Sequence, residues 1–195
     1  HNDKELYVSQ FIASEVDWKD QGIKLTQTTN YPEEQATTFT FQMKKARSLT
    51  LHIRYPHWAE RGIEITVNGK KQAVSSKPGS FVGLNRKWKN GDKVIVKFPF
   101  TLRLESMPDD ADRIAVFYGP MVMAGDLGPV EDERSTDRDY VPVFLTEERS
   151  PSTWLEPVAE EPNTFKTKEI GNPRDIILKP FYKTHDRRYS IYFDI

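Results

Sequence analysis

The sequence contains no cysteine. That single absence excludes disulfides, thiolate metal sites and a cysteine nucleophile. No stretch approaches the roughly 20 apolar residues that a membrane-crossing helix needs. The opening His1-Asn2-Asp3-Lys4-Glu5 lacks the basic-then-apolar layout of a signal peptide, so no membrane partner is expected. An excess of one charge is missing too: 28 Lys and Arg are interleaved with 29 Asp and Glu, for a formal net charge of -1. Without a basic face there is no electrostatic footprint for nucleic acid. There is no glycine-rich phosphate loop, and Ser106, Ser135 and Ser150 lack a nucleophile-elbow context. Apolar residues at helical spacing are nowhere sustained for three turns, so little helix is expected. The chain opens on His1 rather than Met and is expected to be a fragment or a processed product.

What is present is alternation with a period of two. Phe39, Phe41 and Met43 alternate with Thr38, Thr40 and Gln42, and Leu49, Leu51, Ile53 and Tyr55 with Thr50, His52 and Arg54. Such runs build strands with one face on a core. Ile63-Ile65-Val67, Val94-Val96-Phe98 and Tyr189-Ile191-Phe193-Ile195 repeat the pattern. Asn68-Gly69 and Asn90-Gly91 offer the positive φ that two-residue hairpins require. The expected fold class is therefore all-β: an antiparallel, jelly-roll-like β-sandwich over residues 1–125, then a second, smaller β module over 126–195, with its packing, on the first or on a neighbour outside this sequence, left open. The boundary is placed where composition changes near Gly125, with the acidic, polar stretch 126–138 containing Gly128-Pro129 as a surface connection. Strands are expected within 141–145, 154–158, 165–168, 176–178 and 189–195.

Several strings occur in an order that resembles a known family. Leu6-Tyr7-Val8, Phe11-Ile12-Ala13-Ser14-Glu15, Gln27-Thr28 and Tyr31-Pro32 look like the start of its post-barrel region. Leu51-His52-Ile53-Arg54-Tyr55-Pro56-His57-Trp58-Ala59 is similar to its Arg-Ile-Pro-x-Trp-Ala segment, and Val67-Asn68-Gly69-Lys70 to its Val-Asn-Gly turn. Arg86-Lys87-Trp88-Lys89-Asn90-Gly91-Asp92 and Tyr118-Gly119-Pro120-Met121-Val122 resemble its Arg-x-Trp-x-x-Gly-Asp and Tyr-Gly-Pro-Leu-Val strings. The tail from Leu178 to Tyr192 is similar to a C-terminal module of many members. The family is the family 127 glycoside hydrolases, typified by β-L-arabinofuranosidases and long known as a domain of unknown function. The resemblance implies an α/α barrel followed by β-sandwiches. It also implies a cysteine nucleophile, zinc-ligating cysteines and a glutamate acid/base, all in the barrel. With no Cys, none of that chemistry can be carried over, and no cofactor is expected in this chain.

The residues offer little chemistry of their own. Glycoside hydrolysis needs two facing carboxylates, but the doublets Glu33-Glu34, Asp109-Asp110, Glu147-Glu148 and Glu160-Glu161 sit in turn-like surroundings. His1, His52, His57 and His185 lack the short spacing of a zinc site, and Asp109, Asp110 and Asp112 lack the ligand pattern of a calcium loop. No catalytic or metal residue is assigned. Tyr31, Trp58, Trp88, Trp154, His185 and Arg187 are the candidates for sugar stacking or inter-domain contact, the aromatic ones read as core or interface before sugar platform. The expected role is a non-catalytic accessory region that supports an absent catalytic barrel of the same polypeptide. The alternative is a carbohydrate-binding module for arabinose-containing or plant-type glycans. A secreted or periplasmic parent is favoured over a cytoplasmic one.

Overall fold

A computed structural model describes residues 4–132 and 141–195. His1, Ser135 and part of the expected surface connection lie outside the described residues. Strands dominate and no α-helix occurs among the described residues. Contacts divide the chain into two units, His1–Phe100 and Thr101–Ile195.

The first unit contains β1 (Glu5–Val8), β2 (Ser14–Trp18), β3 (Ile23–Thr28), β4 (Ala36–Met43), β5 (Arg47–Tyr55), β6 (Glu64–Val67), β7 (Lys70–Gln72), β8 (Ser80–Trp88) and β9 (Lys93–Lys97). They form a six-stranded sheet in the order β2-β3-β4-β9-β6-β7 and a three-stranded sheet in the order β1-β5-β8. The alternation is realised as expected: Phe39 and Phe41 of β4 and Leu51 and Ile53 of β5 are buried, while Thr38, Thr40, His52 and Arg54 face outward. Each such side chain removed from water stabilises by roughly 1.5–3 kcal/mol. Trp88 of the smaller sheet stacks on Phe41 of the larger at 4.3 Å, so the two sheets face one another across a shared core. One pairing departs from the antiparallel expectation: β1 runs parallel to β5.

The two Asn-Gly pairs do different work. Asn68 (φ 51°) and Gly69 (φ 77°) close a two-residue hairpin between β6 and β7. Asn90-Gly91 does not make a hairpin, because β8 and β9 belong to different sheets. The chain crosses from one sheet to the other there, and the crossing is held by side chains. Asn90 Oδ1 accepts from Met43 N–H (3.0 Å), and buried Asp92 accepts from Asn68 Nδ2 and Lys89 N–H, both at 2.8 Å.

The second unit contains β10 (Leu102–Ser106), β11 (Arg113–Tyr118), β12 (Met121–Pro129), β13 (Val143–Phe144), β14 (Leu155–Pro157), β15 (Phe165–Thr167), β16 (Gly171–Asn172), β17 (Ile177–Pro180), β18 (Arg187–Ser190) and β19 (Tyr192–Asp194). One antiparallel sheet runs β10-β11-β12-β17-β15-β14, with β18 on β12 and β19 on β11; β13 and β16 form a small second ribbon. Phe144 of the ribbon stacks on Phe193 of the sheet at 4.7 Å, closing a core. The C-terminal alternation is not one strand: the chain changes partner from β12 to β11 at Ile191, and Tyr189 is left exposed.

The expected boundary lay between 125 and 126, whereas the contacts divide the chain after Phe100. The reason is that β12 runs straight through the earlier point. Gly125 pairs with Leu178 and Ser190 in mid-strand. A Cβ there would meet Phe193 Cζ at 2.6 Å and Ile176 Cδ1 at 2.7 Å, so this glycine serves close packing rather than a turn.

Candidate functional site

The first unit carries an apolar pocket of about 380 Å³. Its walls come from the irregular segment after β1 (Phe11, Ile12), the loop between β3 and β4 (Tyr31, Pro32) and the end of β5 (Arg54, Pro56, His57, Trp58). Local chemistry places each wall. Pro56 has no N–H to continue the ladder, so β5 stops at Tyr55. A turn closed by Ala59 N–H on the Pro56 carbonyl (3.2 Å) then brings Trp58 back toward the core. Thr29 Oγ1 accepts from Tyr31 N–H (3.0 Å) and donates to the Ala36 carbonyl (2.9 Å), which fixes the Tyr31 loop.

The pocket thus brings together two of the candidate residues, Tyr31 and Trp58. Tyr31 meets Phe11 at 5.5 Å and Phe98 at 5.6 Å, and Trp58 meets Phe100 at 5.3 Å. These rings meet edge to face, with interplanar angles of 65° to 84°, and Phe11 and Trp58 are buried. Burial pushes the Tyr31 phenol well above its ordinary value, the Arg54 charge only partly opposing it. The arrangement suits an apolar group entering from outside with Arg54 and His57 beside it. It offers neither a flat open ring for stacking nor an acid/base pair.

The other candidates lie elsewhere. Trp88 is wholly buried on Phe41 and donates from Nε1 to the Leu49 carbonyl (3.1 Å). Trp154, in the second unit, is buried against Phe144 and donates to the Glu148 carbonyl (2.9 Å). Neither presents a face to a sugar; both are core residues whose indole N–H has found a carbonyl. His185 is exposed beside a short turn. Arg187 is engaged within its own unit: its Nε donates to Asp126 Oδ1 at 2.6 Å. Burial raises the Asp126 carboxyl, but the Arg187 and Gly128 hydrogen bonds and the Lys179 charge outweigh it and hold the group below the usual carboxylate range. The acidic doublets all lie on exposed residues. Phe11, Phe98 and Phe100 are not marked as site residues by the sequence: Phe98 reads only as the end of an alternating strand, and nothing local shows that the three rings converge.

The geometry defines a class first: two β-sandwich-like units, the first with an apolar pocket whose lining holds no Asp or Glu. The family follows from comparison. Residues 5–100 match the family model described as Beta-L-arabinofuranosidase, GH127 middle domain, and residues 125–195 match a domain of unknown function. Residues 5–100 are a GH127 middle-domain region. No curated protein matches it. Among solved structures, a GH127 beta-L-arabinofuranosidase from Geobacillus stearothermophilus T6 aligns with a TM-score of 0.71 at 19% identity, covering 100% of this chain and 34% of the other. A protein described as a glycoside hydrolase aligns at 0.67 and 18% identity, covering 96% and 35%. A GH127 beta-arabinofuranosidase aligns at 0.67 and 20%, covering 98% and 35%. At these identities the likeness shows the fold, and the chain spans about a third of those structures. The zinc thiolates that the resemblance implies do not fit here: the chain has no Cys. The described residues also hold no group of three or more His, Cys, Asp or Glu able to take a metal ion.

Proposed function

We propose that this chain is a non-catalytic accessory region of a longer family 127 glycoside hydrolase, supporting a catalytic barrel carried elsewhere in the same polypeptide. The observation that carries this reading is the match of residues 5–100 to the family's middle domain, in a chain about a third the length of the solved relatives and without a cysteine. In this reading the Tyr31–Trp58 pocket seats an apolar side chain of the partner barrel, since its rings are locked edge to face and its lining is apolar. Ile12, 61% exposed at the pocket rim, is the handle for a test. In the full-length enzyme Ile12→Asp is expected to lower the melting temperature and turnover, while the isolated 195-residue chain melts unchanged. Full-length enzyme indifferent to both Ile12→Asp and removal of this region contradicts the proposal.

A further inference from the structure

The outer face of the three-stranded sheet carries a layered group of aromatic rings that the pocket does not use. His52 of β5 leans over β8 at Gly83, where the missing side chain leaves room: a Cβ there would sit 3.4 Å from His52 Cε1 and Nδ1. Tyr7 of β1, paired in register with His52, stacks on that imidazole with centroids 4.2 Å apart and planes 8° from parallel. Phe81 of β8 stands beside Tyr7 at 5.5 Å and 81°. The order outward is therefore Gly83 backbone, His52 ring, Tyr7 ring, with Phe81 as an upright wall. Exposure agrees, at 19% for the His52 side chain against 46% for Tyr7 and 37% for Phe81. Glu5 Oε1 lies 3.4 Å from His52 Nε2 at the base of the stack.

Exposed apolar rings gathered in one place are unusual on a soluble surface. Here one of them is held flat, its rotamer fixed by a second ring below, so little side-chain freedom remains to be lost on binding. Around it the same face presents polar groups of several kinds. Register puts Arg54 opposite Phe81 and the pair Thr50–Asn85 one step along from His52–Gly83. We infer that the Tyr7–His52–Phe81 face is a saccharide-binding platform. A pyranose or furanose ring lays its C–H face on Tyr7, its edge against Phe81, and its hydroxyls toward Arg54, Asn85 and Glu5. Stable protein interfaces need roughly 1,000 Å² of complementary surface, whereas a floor, a wall and mixed donors and acceptors match one sugar ring. The inference rests on the proposed function only for the choice of sugar. A blank titration leaves the accessory role standing.

The test is an amide chemical-shift titration of the whole chain with arabino-oligosaccharides and, in a parallel arm, xylo-oligosaccharides. Saturable shifts in β1, β5 and β8 are expected in at least one arm at millimolar sugar. Tyr7→Ala should weaken binding about five- to tenfold, as the loss of one ring contact implies, and Ile12→Asp should leave it unchanged. Three results each overturn the inference: no shifts in either arm, shifts confined to the Tyr31–Trp58 pocket, or equal affinity in Tyr7→Ala. So does sugar-independent self-association through this face that Tyr7→Ala abolishes.

Discussion

Asp126 and Asp175 do comparable structural work in the second unit, and neither stands out from the other acidic residues in the sequence. Asp175 accepts from the backbone N–H groups of Glu169, Ile170 and Gly171 and from Thr167 Oγ1, at 2.9 to 3.3 Å. Burial raises its carboxyl, but those donors outweigh it and leave the group below the usual range, as Arg187 and its neighbours do for Asp126. A carboxyl whose folded value lies below the unfolded one, about 3.9, contributes stability that is complete above that value. The contribution is lost as pH falls through the folded value. Thermal unfolding of the second unit, read from Trp154, should therefore weaken below about pH 4. Asp175→Asn should lower the melting temperature at neutral pH and flatten that acid limb; an unchanged limb contradicts the assignment. Side-chain detail of this kind is hidden from sequence. Likewise Trp58, Trp88 and Trp154 look equivalent as letters, and only three-dimensional packing separates two sealed core rings from one that lines a pocket.

At the level of strands and turns, alternation was a reliable guide wherever one face meets a core. β4, β5 and β9 fall where Phe39-Phe41-Met43, Leu49-Leu51-Ile53-Tyr55 and Val94-Val96 place them. Glycine was less legible, because the same residue serves torsion, turn or space. Gly69 closes a hairpin through positive φ, whereas Gly125 and Gly171 are required for space alone. At Gly171 an added Cβ would run into the Arg174 carbonyl, inside the turn that Asp175 organises. Gly125→Ala and Gly171→Ala should each destabilise the second unit by roughly 1–3 kcal/mol in urea titrations, the cost of overpacking. Values near zero for both show that these backbones have room to move. Pairing direction also escaped the sequence: nothing in Glu5–Val8 distinguishes a parallel from an antiparallel neighbour, yet β1 runs parallel to β5.

For the whole molecule, the all-β class was legible because helical spacing is absent and period-two runs recur, and the family was legible from ordered strings. The division between units was not. Gly128-Pro129 and the acids around them read as a connection, but long-range pairing with β17 and β18 makes residues 121–129 a central strand. The Tyr7–His52–Phe81 stack was invisible for a related reason, since its members come from three strands that meet only through register. Under the proposed function, bond cleavage resides elsewhere in the longer polypeptide and not in these 195 residues. The direct measurement is turnover of a β-L-arabinofuranoside by the 195-residue chain, shown folded by its cooperative melt and supplied with zinc and reductant. No hydrolysis above the buffer rate is predicted. Hydrolysis that follows the purified chain and vanishes when one of its carboxylates is replaced contradicts the account.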